Sequence, residues 1–184
     1  MLAGAATISA AQALRALGYD RLALVAALTA AHRIAPAWEV VAASAVYGTL
    51  LLQAALAAAG CGDAHRAGEL TCRAAEVARI ATHDPHRTGF GPVAVELAEV
   101  VAAVELGEAR AAVVRHEQVV RRDGWRLLPA EYRAAYLVDA ARAYLRAGDP
   151  GGAGRVLVGA DGVAPAEVRC RPVARTVLAE VASA

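Results

Sequence analysis

The stretch HDPHRTGFGP, residues 83–92, concentrates the side chains most able to do chemistry. His83 and His86 are three residues apart, a spacing that lets two imidazoles hold one metal ion when both project from a helix. The intervening Asp-Pro pair disfavours a helix, and no further cluster of metal ligands accompanies it. The pattern therefore predicts a loop without metal or other cofactor. That loop is either plainly solvated or places His83, His86 and Phe90 at the mouth of a binding groove.

Acidic and phenolic side chains recur at helical spacing along two further segments, 92–106 and 129–147. Side chains three or four residues apart share one face of a helix, so each segment presents a polar face. On the concave surface of an array of helical hairpins, these faces would form an acidic and phenolic groove suited to a cationic or aromatic ligand. The alternative is a solvated face on which an aspartate and an arginine form a surface ion pair. The candidate groove residues, including one tyrosine from the third predicted helix, are Tyr47, Glu96, Glu99, Tyr132, Tyr136, Asp139 and Arg142.

An internal repeat explains how such faces would be positioned. Glycines at 18, 62, 107 and 148 are spaced 44, 45 and 41 residues apart. Each glycine is followed closely by an acid, and the fifth residue after each glycine is an alanine. Glycine adopts the left-handed conformation that ends a helix, the acid caps the next helix, and alanine allows two helices to cross closely. The acids are Asp20, Asp63, Glu108 and Asp149, and the alanines are Ala23, Ala67, Ala112 and Ala153.

The resulting prediction is a single all-α domain over residues 1–184, a right-handed α-solenoid of tetratricopeptide-like helical hairpins. Prolines mark further helix starts at Pro36, Pro92, Pro129 and Pro165. Nine helices are expected over about residues 7–17, 20–34, 37–59, 63–81, 92–106, 108–122, 129–147, 150–161 and 166–182.

The amino-acid composition limits the kinds of partner that the chain is expected to bind. All 19 basic residues are arginines, set against 18 acids, so the chain lacks the basic surface of a nucleic-acid binder. The 23 residues from Val40 to Gly62 carry no charge, yet they are rich in Ala, Gly and other weakly inserting residues. We therefore expect a buried helix, no membrane association and a cytoplasmic location.

The three cysteines, Cys61, Cys72 and Cys170, form no CxxC pair and leave an odd number. A disulfide framework is therefore not expected, which fits a reducing compartment. The interpretation is that all three act as small apolar core residues.

The second half of the chain resembles the tetratricopeptide-like C-terminal repeat region of lambda-repressor-like helix-turn-helix transcriptional regulators. The resemblance covers about 90 residues and is carried by five motifs. These are Phe90-Gly91-Pro92, the turn Val104-Glu105-Leu106-Gly107, Leu128-Pro129-Ala130-Glu131, Asp139 with Arg142 and Tyr144, and the segment from Ala164-Pro165 to Pro172.

Two departures separate this chain from those regulators. Its opening residues resemble the helices of a repeat and do not resemble a DNA-binding domain. Direct nucleic-acid binding is therefore not expected. The family places polar residues after its Phe-Gly-Pro motif, and this chain has Val93, Ala94 and Glu96 at those positions. Arginines after the Leu-Pro-Ala-Glu motif are here Tyr132 and Ala135. The resemblance therefore implies a sensor-like groove with an altered lining.

Three functions follow from these patterns. The first is a non-enzymatic module that binds a peptide, a partner protein or a small molecule in its groove. The second is a small helical enzyme of specialised metabolism, with Glu96, Glu99, Asp139 or His116 as acid or base. The third is a structural homodimer in which the uncharged third helix buries a second face against its copy.

Overall fold

The computed structural model describes residues 2–35, 41–80 and 89–183, and over these residues the chain is helical, without a β-strand. The all-α prediction is therefore confirmed. The described residues form ten α-helices, and a short 3-10 helix over Asp123–Leu127 precedes α7. The α-helices are α1 Leu2–Ala16, α2 Asp20–Ile34, α3 Val41–Gly60, α4 Ala64–Ile80, α5 Pro92–Glu105, α6 Ala109–Val119, α7 Ala130–Arg146, α8 Pro150–Val163, α9 Pro165–Cys170 and α10 Pro172–Ser183.

Four glycines reverse the chain at the predicted places. Gly18, Gly62, Gly107 and Gly148 have φ angles of 79°, 78°, 83° and 84°, in the left-handed region that suits glycine. The residue after each glycine donates its backbone N–H to the carbonyl five residues earlier, at 2.8 to 3.0 Å. This bond satisfies a carbonyl of the last helical turn and fixes the same reversal four times. The predicted turn positions are confirmed.

The acids after these glycines act as caps at only two of the four turns. The carboxylates of Asp63 and Asp149 accept the backbone N–H three residues on, at 3.0 and 2.7 Å. Glu108 stands at the N-cap of α6 without such a bond, and Asp20 lies one position inside α2, behind Tyr19 at the N-cap. The capping prediction is therefore wrong at Asp20 and Glu108. Each helix begins two residues after its glycine, and at the first turn the N-cap place is held by Tyr19 instead of an acid. At the third turn the glutamate side chain is longer than an aspartate by one methylene.

Small residues control how closely the helices pack. From α1 to α8 each helix packs against the next along the chain, and α1, α3, α5 and α7 also contact one another in succession. The repeat alanines Ala23, Ala67, Ala112 and Ala153 are 0%, 3%, 0% and 0% exposed. A larger side chain at any of them would force two helices apart, since these positions have no free space around them.

The uncharged third helix is part of the core, as predicted. Residues 43–60 are long and apolar enough to cross a membrane by composition alone, but 83% of this stretch is buried inside the protein. Helices α1, α2, α4 and α5 all pack against α3. The helix therefore buries its apolar side chains within one chain.

Two predictions about local structure are wrong. The segment expected as one helix over 166–182 is two helices, because Arg171, directly before Pro172, is extended (φ −76°, ψ 127°). The cysteines are exposed and unpaired, and not core residues. Cys61 lies in a turn, Cys72 on the outer side of α4, and Cys170 at the end of the short α9.

The aromatic residue of the Phe-Gly-Pro motif anchors the chain entering α5 onto α3. Phe90 is 3% exposed, and a Cβ atom at Gly48 would overlap its ring. Glycine at this position therefore lets the ring rest directly on the backbone of α3.

Replacing Gly48 by alanine is expected to lower the free energy of unfolding by about 1–3 kcal/mol, because the new methyl group displaces the Phe90 ring. Urea denaturation measures the loss. The matched control is Gly68→Ala in α4, where a Cβ meets nothing within 4 Å. That change should raise stability by about 0.5–1 kcal/mol through helix propensity. Equal effects at the two glycines would show that the ring contact does not constrain Gly48.

Candidate functional site

A cavity of about 920 Å³ lies among α1, α3, α5, α7 and α10. Its size is within the range of small-molecule and peptide sites, about 300–1,000 Å³. Apolar side chains from α3 and α5 form one wall, and charged and phenolic side chains from α7 form another. The structure brings five of the predicted site residues together here: Phe90, Tyr132, Tyr136, Asp139 and Arg142.

The cavity gathers residues that are equivalent in successive hairpins. Shifting a position by the glycine spacings of 44, 45 and 41 residues gives its counterparts in the other repeats. Three sets of counterparts on the first helices of the hairpins line the same cavity. The sets are Gln12, Leu56, Val101 and Arg142; Gln53, Ala98 and Asp139; and Thr49, Ala94 and Ala135.

Arg142 links two neighbouring helices at the polar end of the cavity. Its guanidinium donates to the Glu105 carboxylate on α5 at 2.8 Å and to Asp139 on α7 at 3.3 Å. The three side chains are 22%, 20% and 29% exposed, so the group is partly shielded from water. The predicted Asp139–Arg142 pair is confirmed. It is not a fully solvated surface pair, because Glu105 shares the guanidinium.

The two carboxylates of this group differ in pKa. Burial raises the pKa of Asp139 above its ordinary value, although Arg142 and Arg15 oppose the shift. Burial also acts to raise the pKa of Glu105, but the hydrogen bond and charge of Arg142, with Arg15 and Arg146, outweigh it and hold that pKa low. Glu105 is therefore the firm anionic partner of Arg142, and Asp139 is the carboxylate closer to taking up a proton.

An aromatic cluster (His116, Trp125, Tyr136 and Tyr144) backs the phenolic wall. The Tyr136 hydroxyl and His116 Nδ1 are 2.9 Å apart, within a hydrogen bond, and both residues are buried. The Trp125 ring lies edge-on to Tyr136 at 5.6 Å, and Tyr144 lies edge-on to His116 at 5.9 Å. These contacts fix the orientation of the Tyr136 ring where it meets the cavity.

Both cavity phenols are neutral at physiological pH. Burial raises the pKa of Tyr132 to about 12, with a further contribution from Asp139. Burial raises the pKa of Tyr136 further still. The phenols therefore offer neutral O–H groups and aromatic faces to a ligand, and no anionic charge.

Three of the predicted groove residues lie outside the cavity lining. Tyr47 is buried on α3, where its hydroxyl accepts a hydrogen bond from Arg73 at 2.8 Å. Glu96 pairs with Arg122 at 3.1 Å, and Glu99 is exposed. His83 and His86 lie outside the described residues. Within residues 2–35, 41–80 and 89–183, no three His, Cys, Asp or Glu side chains are grouped so that they could hold a metal ion.

Gln53, Arg15 and Glu105 line the cavity but were not predicted from the sequence. The signal for Gln53 was present, since it is the repeat counterpart of Asp139. Arg15 and Glu105 stand at helix ends, where a face assignment by spacing alone is weakest.

No protein-family model, curated protein or solved structure matches the chain. The resemblance to repressor-type regulators therefore stays a prediction carried by its motifs.

Arg142→Met keeps most of the side-chain bulk and removes the charge that Glu105 and Asp139 share. We expect the free energy of unfolding at pH 7 to fall by about 1–3 kcal/mol, because two partly buried carboxylates lose their cation. Urea denaturation is the measurement. Arg155→Met is the control, since Arg155 is 75% exposed and 3.8 Å from Asp149, and it should change stability by less than about 0.5 kcal/mol. Equal losses in the two variants would contradict the assignment.

His116 should make stability depend on pH. Burial lowers its pKa to about 4, against about 6.5 in the unfolded chain, so the unfolded state takes up a proton first on acidification. Its contribution is complete above about pH 6.5 and is lost between about pH 6.5 and 4. The free energy of unfolding of the unmodified protein should fall between pH 7 and 4.5. In His116→Gln this fall should be smaller by about 2–3 kcal/mol. The exposed control His32→Gln should keep the original pH dependence, and a change in both variants alike would refute the assignment to His116.

Proposed function

We propose that this chain is a non-enzymatic ligand-binding repeat module. In this proposal it is a right-handed α-solenoid of tetratricopeptide-like hairpins, one domain over residues 1–184, whose inner surface holds a peptide or a small molecule. The observation that carries the proposal is that equivalent positions of successive hairpins line one cavity. Side-by-side packing of α1, α3, α5 and α7 supports it, since the first helices of stacked hairpins line the concave side of such arrays.

The proposed mode of action is a shift in how neighbouring hairpins stack. Arg142 joins α5 to α7 through Glu105 and also lines the cavity. A ligand that contacts Arg142 therefore competes with the Glu105 contact that joins these two helices. Differential affinity for two stacking arrangements would then shift their populations.

The positions at which the chain departs from the regulator pattern support a ligand of its own. Ala94, Tyr132 and Ala135 replace polar or basic residues of the family, and all three line the cavity. Because three of the five changed positions line the cavity, whereas Val93 and Glu96 do not, we propose a relative of regulator sensor regions with a different ligand and no direct nucleic-acid contact.

The two alternatives have weaker support. Of the four acid–base candidates, Asp139 lines the cavity and has the raised pKa expected of a catalytic carboxyl group. Glu96, Glu99 and His116 are not part of the lining, so the expected partners of Asp139 in catalysis are missing from it. The homodimer was suggested by the uncharged α3. That helix is mostly buried by α1, α2, α4 and α5 within one chain, so its lack of charge no longer supports a homodimer.

A cavity-blocking variant tests the proposal. Libraries of short peptides and of small polar metabolites are screened separately by thermal unfolding, each hit being titrated to about 100 times its Kd. A true ligand then stabilises the fold by about 2.7 kcal/mol, a rise in Tm of roughly 5–10 °C for a chain of this size.

Ala135→Trp places an indole in the cavity and should abolish the rise. Ala111→Trp, on the exposed side of α6 away from this cavity, should retain it. Absence of any hit in both libraries, or hits that survive Ala135→Trp, would count against binding at this site.

A further inference from the structure

Gln53 places a polar group without a partner beside the apolar wall of the cavity. It is 8% exposed, and no group in the described part of the chain donates a hydrogen bond to its Oε1. Its neighbours in the lining on α3 and α5 include Leu52, Leu56 and Leu97. Leaving a buried carbonyl oxygen without a donor is unfavourable, so its retention in an otherwise apolar region calls for a donor from outside the chain.

Arg15 shows the complementary deficiency at the end of α1. Its Nε is buried and has no acceptor, and no ion pair among the described residues includes it. Burial lowers the pKa of Arg15, although Asp139, Glu105 and Asp20 act in the opposite direction. The cavity therefore lacks one hydrogen-bond donor, at Gln53, and one acceptor, at Arg15.

The charges of the lining disfavour an anion. Six carboxylates and four guanidinium groups line the cavity, a net charge of −2. Arg142 is bonded to Glu105 and Asp139, and Arg171 to Glu167. Within the described part of the chain, Asp20, Glu131 and Glu180 form no ion pair, and neither do Arg15 and Arg146, so the lining keeps an excess of negative charge. A carboxylate or phosphate ligand would meet this repulsion, whereas a neutral or cationic ligand would not.

We propose that the cavity recognises an uncharged amide, borne by a neutral or cationic ligand, through Gln53 and Arg15. This inference rests on the proposed function and names the chemistry of the ligand. An amide N–H donates to Gln53 Oε1 and an amide carbonyl accepts from the Arg15 guanidinium. Rotation about the terminal bond of Gln53, which has a broad torsional profile, turns Oε1 toward the cavity. The shared chemistry occurs in a peptide main chain and in a small-molecule carboxamide.

The binding experiment separates these sources with three sets of probes. One set is acetylated, C-terminally amidated tetrapeptides containing arginine, the second is cationic non-peptide carboxamides, and the third is the matching peptides with aspartate and a free carboxyl terminus. We expect binding in the first or second set and none in the third. Preference for the anionic set overturns the amide assignment while the proposed binding function stands. If none of the three sets binds, the amide assignment fails. The proposed binding function is then still decided by the separate screen of peptide and metabolite libraries against the unmodified protein and Ala135→Trp.

Gln53→Met distinguishes a ligand-binding role from a structural one. It removes the unpartnered oxygen at nearly constant size, so we expect the ligand-free protein to gain about 2–6 °C in Tm. Affinity for the bound probe should fall about 3- to 10-fold. Gln118→Met, the same change on the exposed side of α6, should alter neither quantity. A lower Tm with unchanged affinity would show that Gln53 serves the fold and would overturn the inference.

Discussion

The close approach of paired helices at fully buried alanines is the constraint on which the rest of the structure depends. Ala23, Ala67, Ala112 and Ala153 lie on the second helix of each pair and are 0%, 3%, 0% and 0% exposed. Two helices that pack through alanine come nearer than two that pack through leucine, and their relative position is then set by contacts between backbones. In the structure, the two helices joined by each of these glycine turns pack against each other.

The glycine turns convert this geometry into a repeat register. Because the N–H after each glycine bonds the carbonyl five residues earlier, the preceding helix ends in the same way at all four turns. Three sets of residues at fixed distances before these glycines consequently line the same cavity. Asp139, Ala98 and Gln53 occupy one such position and meet in one cavity, although they are 86 residues apart at the extremes.

Sequence patterns predicted most of the helices because glycine and proline act locally. Neighbouring residues alone were enough to predict the turns at Gly18, Gly62, Gly107 and Gly148 and the helix start at Pro92. The cysteines were misassigned because burial depends on which face of a helix meets its neighbours, and a small apolar residue fits either face.

The site was predicted in part for the same reason. Tyr132, Tyr136 and Asp139 share one face of α7, and that face does meet the cavity. Glu96 and Glu99 share a face of α5, but the register pairs them with Leu51 and Ala54, which are core positions of α3 and not part of the lining. Applying the glycine spacings to Asp139 would have added Gln53. Glu105 and Arg15 reach the cavity from helix ends, and only the packing of α1, α5 and α7 brings them beside Arg142.

The walls of the cavity differ in how firmly they are held, and this bears on how a ligand would be bound. Tyr136 is fixed by His116 and Trp125, and Phe90 is fixed against the backbone at Gly48. Gln53 and Arg15, by contrast, have polar atoms that no group among residues 2–35, 41–80 and 89–183 satisfies. Rigid aromatic walls lower the entropy lost on binding, whereas the unsatisfied groups supply hydrogen bonds that form only when a ligand is present. Affinity at such a site depends on the shape of the apolar and aromatic walls, and selectivity depends on the two polar groups that the fold leaves without partners.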